Sequence, residues 1–201
     1  MERLTRVQAQ ERTHQRLLAA GRTVFLRRGF LAATVEEIAA AAGYTRGAVY
    51  KHFGGKEGLW QAIVDDLAGQ RLAGLRAALD RAGSRDELVA ALEPGGFARG
   101  GEATRWAVTS AEYLAAVAGQ PEHAGALATL QRRLDGEFAA LLEHHCRRLR
   151  IRPALPVPAL VVALGAFGGG LALLAALDPG VDVDGVSAGL LAVLLPEPER
   201  S

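Results

Sequence analysis

Between Thr34 and Lys56 the chain gathers side chains able to grip a polyanion: hydroxyls at Thr34, Thr45 and Tyr50, cations at Arg46, Lys51 and Lys56, and an imidazole at His52. Twenty-one arginines are spread along the sequence, but its only two lysines both stand in this stretch. Ammonium and guanidinium groups neutralise phosphates, and guanidinium also forks onto base edges, so the set suits contact with a nucleic acid. The charge distribution agrees. Residues 1–60 hold ten Lys and Arg against five Asp and Glu, and the rest hold thirteen against seventeen, beneath a net charge of +1. A basic first third beside a mildly acidic remainder directs any such contact to the N-terminal part.

Those side chains need a scaffold. Leu17, Ala20, Val24 and Phe25 recur at helical spacing and predict a helix from about residue 11 to Arg28, ended by Gly29. Thr34 and Glu37 have the spacing of a capping box, opening a short helix with Val35, Ile38, Ala39 and Ala42 inward and a stop at Gly43. Thr45 is the next N-cap, ahead of "RGAVYKHF", and Lys56 begins a longer helix bearing Leu59, Trp60, Ile63, Val64 and Leu67. Two short helices across one glycine turn make a helix-turn-helix. Small Ala39 allows close approach, while Val49 and Phe53 anchor the second helix. Thr45, Arg46, Gly47, Ala48, Tyr50, Lys51 and His52 are left facing outward near its start, where side chains reach bases and phosphates. Lys51 and Lys56 are the expected phosphate contacts, helped by the helix N-terminus after Gly54 and Gly55.

The run "LLAAGRTVFLRRGFLAATVEEIAAAAGYTRGAVYKHFGGKEGL" resembles the DNA-binding domain of the TetR/AcrR family of bacterial repressors over about residues 14–60. Tyr44 departs from the family's smaller aliphatic residue. Carried over position by position, the resemblance implies that Thr45, Arg46, Ala48, Tyr50, Lys51 and His52 lie on a recognition helix, with Thr34 and Lys56 on phosphates from flanking helices. It also implies a larger all-helical domain that dimerises through its last two helices and encloses an effector pocket. The expected organisation is an all-α chain, with residues 1–56 a helix-turn-helix domain and residues 57–201 a ligand-binding and dimerisation domain. The expected partners are a palindromic double-stranded DNA operator, a second copy of the chain and a small-molecule effector. Repression is the expected mode.

The remainder reads as helical, because no stretch sustains strand-like alternation. Ser84 to Glu87 is a second capping-box pattern and "EPGG" at 93–96 a break. Helices are expected over Arg99–Ala118, Glu122–Arg150, Val157–Leu177 and Val183–Leu195. The last pair resembles the family's dimer helices, and its small residues suit a close helix crossing. The rival reading of Ala159–Leu177 is a membrane span, since its nineteen residues are uncharged and Gly165 and Gly169 form a GxxxG pattern. Trp106, Thr109 and Tyr113 share one helix face and, with Phe138 and His145 opposite, are the expected walls of a pocket for an uncharged or weakly polar ligand. His145 has a competing role as a hydrogen-bonded core residue.

Catalysis and metal chemistry find little footing. His144, His145 and Cys146 are adjacent, so on a helix they splay by about 100° each and do not converge. Cys146 beside Arg147 is either a small apolar residue or a thiol of lowered pKa able to act as a redox switch. A polar N-terminus and one cysteine favour a cytoplasmic protein, with no cofactor expected. Two rival functions remain at this level: an architectural DNA binder and a membrane-tethered sensor without an effector.

Overall fold

A computed structural model describes residues 5–93 and 101–197, and every regular element among them is a helix. In chain order these are α1 (Arg6–Ala32), α2 (Val35–Ala42), α3 (Arg46–Phe53), α4 (Lys56–Arg81), α5 (Arg85–Leu92), α6 (Gly101–Val117), α7 (Pro121–Arg148), α8 (Val157–Leu177) and α9 (Val183–Leu194). The all-α expectation holds. Glu93 closes α5, while the rest of the break expected at 93–96, and the helix start expected at Arg99, lie outside the described residues.

Local signals explain most boundaries, with three corrections. First, α1 starts five residues earlier than its apolar stripe suggests. Thr5 accepts from the Gln8 amide at 3.2 Å while the Gln8 side chain accepts from the Thr5 amide at 2.8 Å, a complete capping box. The first turns are exposed all round and therefore show no apolar period. Gly29 breaks the helix as expected, with φ 78° and ψ 169°, but the chain resumes helical form up to Ala32. Second, the box at Thr34 is only half formed. Its hydroxyl accepts from the Glu37 amide at 3.2 Å, yet the Glu37 carboxylate turns to Arg27 at 2.7 Å and Arg28 at 3.4 Å. Ionised guanidinium outcompetes a neutral amide for it. Ser84 likewise accepts from the Glu87 amide, and that carboxylate accepts from the Gly83 amide at 2.6 Å instead of from Ser84. Third, Thr45 has the extended backbone of an N-cap, but its hydroxyl makes no capping bond.

The chain divides into two compact units, with divisions that fall inside α4, α6 and α7. The first unit reaches Leu67 and includes Thr109–Leu127. Its core is aromatic. Phe30 stacks on Phe25 at 5.6 Å between ring centres, Trp60 stands edge-on to both, and Tyr113 packs edge-on to Phe30 at 4.9 Å. Gln61 donates to the Tyr113 hydroxyl at 2.8 Å, so the phenol of that cluster is satisfied. Gly21 is needed where α1 meets α4, since a Cβ there would lie 2.9 Å from Ile63 and 3.0 Å from Leu59.

The second unit comprises Ala68–Val108 and the residues from Ala128 onward. Leu79, Leu88, Leu142, Leu160, Leu191 and Leu195 form the middle of its aliphatic core. Arg148 from α7 donates to the carbonyls of Leu79 at 2.9 Å and Ala82 at 2.6 Å, which closes the C-terminal end of α4. Cys146 is buried in this core, and burial pushes its thiol pKa up. The redox-switch reading of Cys146 is thereby corrected: a buried thiol away from solvent is less ionised than a free one, the reverse of what a reactive cysteine needs. Asp178 and Asp182 shape the link between α8 and α9, accepting from the amides of Gly180 and Gly185 at 2.8 and 2.9 Å.

Candidate functional site

Within the first unit, α2 and α3 are joined by Gly43 in the left-handed region, φ 78° and ψ 30°. The amides of Gly43 and Tyr44 turn back to carbonyls at the end of α2, with Tyr44 bonded to Ala39 at 2.9 Å. Ile38, Ala39 and Val49 are buried between the helices. Tyr44 adds a tie of its own, because its hydroxyl and that of Thr13 on α1 hydrogen-bond at 3.3 Å. A smaller aliphatic residue at this position could not reach α1.

With Val49 as anchor, α3 presents a polar face. Thr34, Thr45, Arg46, Tyr50 and Lys51 are exposed, Tyr50 to 54%, whereas Ala48 and His52 are half-buried. An exposed phenol of that size on a helix of eight residues leaves a large ring without a packing role. Arg46 rests against Glu36 at 3.5 Å, a solvent-screened pairing that a phosphate or a guanine edge can displace. His52 leans on His14, with ring centres 5.9 Å apart, and burial followed by the nearby His14 and Lys51 charges holds its pKa below the ordinary value. That shift favours the neutral imidazole, which offers a hydrogen bond.

The two lysines part company. Lys51 extends into solvent from α3. Lys56, at the start of α4, aims its Nζ at the end of α1, donating to the carbonyls of Phe30 at 3.0 Å, Ala33 at 3.2 Å and, more weakly, Leu31 at 3.5 Å. The ammonium also lies 4.5 Å from the centre of the Phe30 ring. Its three protons are thus committed to the chain.

Residues 17–63, which contain this helix pair, match the family described as bacterial regulatory proteins, tetR family. The N-terminal stretch is thus similar to the DNA-binding part of the TetR family. SrpR, an HTH-type transcriptional regulator of Pseudomonas putida, is 47% identical over 64 residues, covering 32% of this chain and 30% of its own length. BepR, an HTH-type transcriptional repressor of Brucella suis, is 45% identical over 62 residues, covering 31% and 29%. The matched stretch therefore spans less than a third of either relative. A solved TetR-family structure from Rhodococcus sp. aligns with 92% of this chain and 99% of its own at a TM-score of 0.75, with 21% identity, which establishes the fold beyond the N-terminal stretch.

The second unit holds a cavity of about 430 Å³ between α4, α5, α7, α8 and α9. Leu72, Leu75, Phe138 and Leu164 supply much of its wall, and Arg71, Glu93, Asp135 and Ser187 its polar groups. Of the five residues expected to line a pocket, Phe138 lines this one. Tyr113 instead completes the aromatic core of the first unit, where burial raises its pKa. Thr109 is buried on α6 and Trp106 half-buried one turn before it. His145 is a core residue: its Nδ1 lies 3.1 Å from Arg148 and its Nε2 3.2 Å from Asp80. Since Arg148 can only donate, Nδ1 accepts and a neutral ring carries its proton on Nε2, which lies near Asp80 but makes no hydrogen bond among the described residues. Ser187 went unnoticed in the sequence, although a lone hydroxyl inside "VDGVSAGLLAVL" was the available signal.

Proposed function

We propose that this chain is a transcriptional regulator that binds a palindromic double-stranded DNA operator as a homodimer and is released by a small molecule. One observation carries the reading: Arg46, Tyr50 and Lys51 stand exposed on a helix that Val49, Gly43 and the Tyr44–Thr13 bond hold rigidly. A fixed helix with a polar, cationic outer face is what reading a major groove requires, and two such helices related by a dimer axis demand two half-sites. Residues 1–56 would carry DNA contact and residues 57–201 effector binding and pairing. Repression follows if the operator overlaps a promoter, the mode in BepR's name. Lys56 supports DNA binding indirectly, by setting the start of α4 against the end of α1.

Pairing is supported by α8 and α9. Val162, Leu174 and Leu177 on α8 and Val193 on α9 are exposed, Leu177 to 83%, and offer a partner apolar side chains to cover. The second reading, a membrane tether, draws on the same helix, which among the described residues is the one long and apolar enough to cross a bilayer. Water-soluble pairing fits better because Leu160 and Val161 of α8 are already committed to the core of the second unit. Sedimentation without detergent separates the two: a stable dimer supports pairing, and aggregation cured only by detergent supports the tether. Gly169→Leu should yield monomer, because a Cβ at Gly169 meets nothing within 4 Å among the described residues and the added bulk would press on a partner helix.

The central test is selection of bound duplexes from a random pool, followed by titration of the recovered sequence at several salt concentrations. A single inverted repeat, bound far more tightly than random DNA, is expected. Equal binding to all sequences would replace the regulator with an architectural binder.

A further inference from the structure

Where α1 packs on the end of α3, two imidazoles stand together without a partner in the chain. The rings of His14 and His52 have centres 5.9 Å apart, and His14 also packs on Phe53 at 4.7 Å. Neither imidazole makes a hydrogen bond among the described residues, which leaves their ring nitrogens for an outside group. With Val7, Gln10 and Glu11 of α1 they border a surface recess of about 310 Å³.

Successive residues of α3 turn by about 100°, so His52 lies on the flank of the face that shows Tyr50 and Lys51. The face of a groove-reading helix meets bases, and its flanks meet the sugar-phosphate backbone. The recess therefore lies where a phosphate would pass. Its charge is conditional. The Glu11 carboxylate on its wall, which accepts from Gln15 at 2.9 Å, is offset by the neighbouring Lys51 ammonium. The net charge that a phosphate meets is thus set by the imidazoles. In the free chain burial, then His14 of α1 and Lys51 of α3, hold the His52 pKa down, and Glu11 of α1 opposes them. A phosphate would add a second negative charge at the same place and favour the imidazolium.

We infer that His14 and His52 form a seat for one DNA backbone phosphate, shared between α1 and α3, which fills together with one proton. The proton comes from solvent and turns an imidazole into an imidazolium, whose N–H groups donate to the phosphate oxygens. His14, outside the helix pair that reads the groove, is thereby a further DNA contact. The inference rests on the DNA-binding half of the proposed function and adds a proton to it: acid tightens the grip on any duplex, whatever its sequence.

The test uses the full chain and fluorescein-labelled duplexes, one of scrambled sequence at low salt and one recovered by selection, followed by anisotropy. Affinity should be roughly 3- to 10-fold higher at pH 6 than at pH 8, with a log–log salt slope steeper by about one unit at the lower pH. His14→Gln and His52→Gln should each remove both differences, whereas His144→Gln, at an exposed position of α7, should keep them. Glu11→Gln is an exposed change that spares the contact with Phe53, and it should tighten binding at pH 8 and shrink the gain on acidification. Binding by the parent that ignores pH would overturn the inference. So would a pH response that survives both histidine variants, one without a change in salt slope, or a Glu11→Gln variant indistinguishable from the parent. A pH-dependent grip on the scrambled duplex without any preferred inverted repeat would uphold the inference and remove the regulator. A preferred repeat bound equally at both pH values would do the reverse.

Discussion

The α2–α3 pair and the α8–α9 pair are both helices joined by a short link, yet they behave as opposites. In α2–α3 nearly every residue is singled out by its type: a left-handed glycine, a threonine cap, a buried valine and a row of cations and hydroxyls. In α8–α9 the composition is almost uniformly apolar, and the same leucines and valines face the core at Leu160 and Leu171 and solvent at Leu174 and Leu177. A residue's job is readable where its type is unusual for its local backbone. Where one chemistry fills a whole helix, only the fold decides which side chain does what.

The sharpest way to break this contrast is in the cores that stand behind each pair. Trp60→Ala should destabilise the chain by about 3–5 kcal/mol in denaturant unfolding, because the ring packs against Phe25, Phe30 and Tyr113 with no room to collapse. Phe138→Ala should cost clearly less, since Phe138 already borders open volume. Equal costs would erase the distinction between a close-packed first unit and a cavity-bearing second one. The two lysines give the next largest effect. Lys56→Ala should lower stability by about 1–3 kcal/mol through loss of its charge-assisted bonds to the carbonyls of Phe30 and Ala33. Lys51→Ala should be neutral within about 0.5 kcal/mol. On DNA the order inverts: Lys51→Ala should reduce the log–log salt slope by about one unit. A stability loss at Lys51, or none at Lys56, would return the lysines to one shared role.

A smaller effect is expected from His145. Burial first, then Arg148 and His144, lowers its pKa, while Asp80 opposes them and Arg76 adds to the lowering. The unfolded chain, with an ordinary value near 6.5, therefore takes up the proton before the folded chain does. The stability present above about pH 6.5 should fall as the pH drops from there toward the folded value. His145→Asn should flatten that part of the profile, as followed by thermal melting between pH 7 and 5. The smallest effect is at Arg46→Ala, neutral for stability within about 0.5 kcal/mol because its pairing with Glu36 is fully solvated, but costing about 1–3 kcal/mol at one operator position if Arg46 reads a guanine.

Helix order and the glycine turn were legible from caps and apolar spacing, which act over three or four residues. The cavity was not. Trp106, Thr109 and Tyr113 do share a helical face, but sequence spacing cannot say what lies opposite, and for Tyr113 it is Phe30, 83 positions earlier, with Gln61 holding the hydroxyl. Nor could it tell that Lys56 curls back on α1 while Lys51 extends, because both are cations beside a helix end. Long-range geometry decided each case.

The glycines of α8 carry one more consequence. A Cβ at Gly169 or Gly170 meets nothing within 4 Å, and alanine in a helix interior is favoured over glycine by roughly 1 kcal/mol. Folding of the lone chain thus exerts no selection for glycine at either position and a mild selection against it. In a mutational scan scored by growth, the fold by itself implies that alanine there is accepted or even enriched. Depletion of alanine at Gly169 and Gly170 would be the genetic trace of a neighbour outside the chain, legible without isolating the complex.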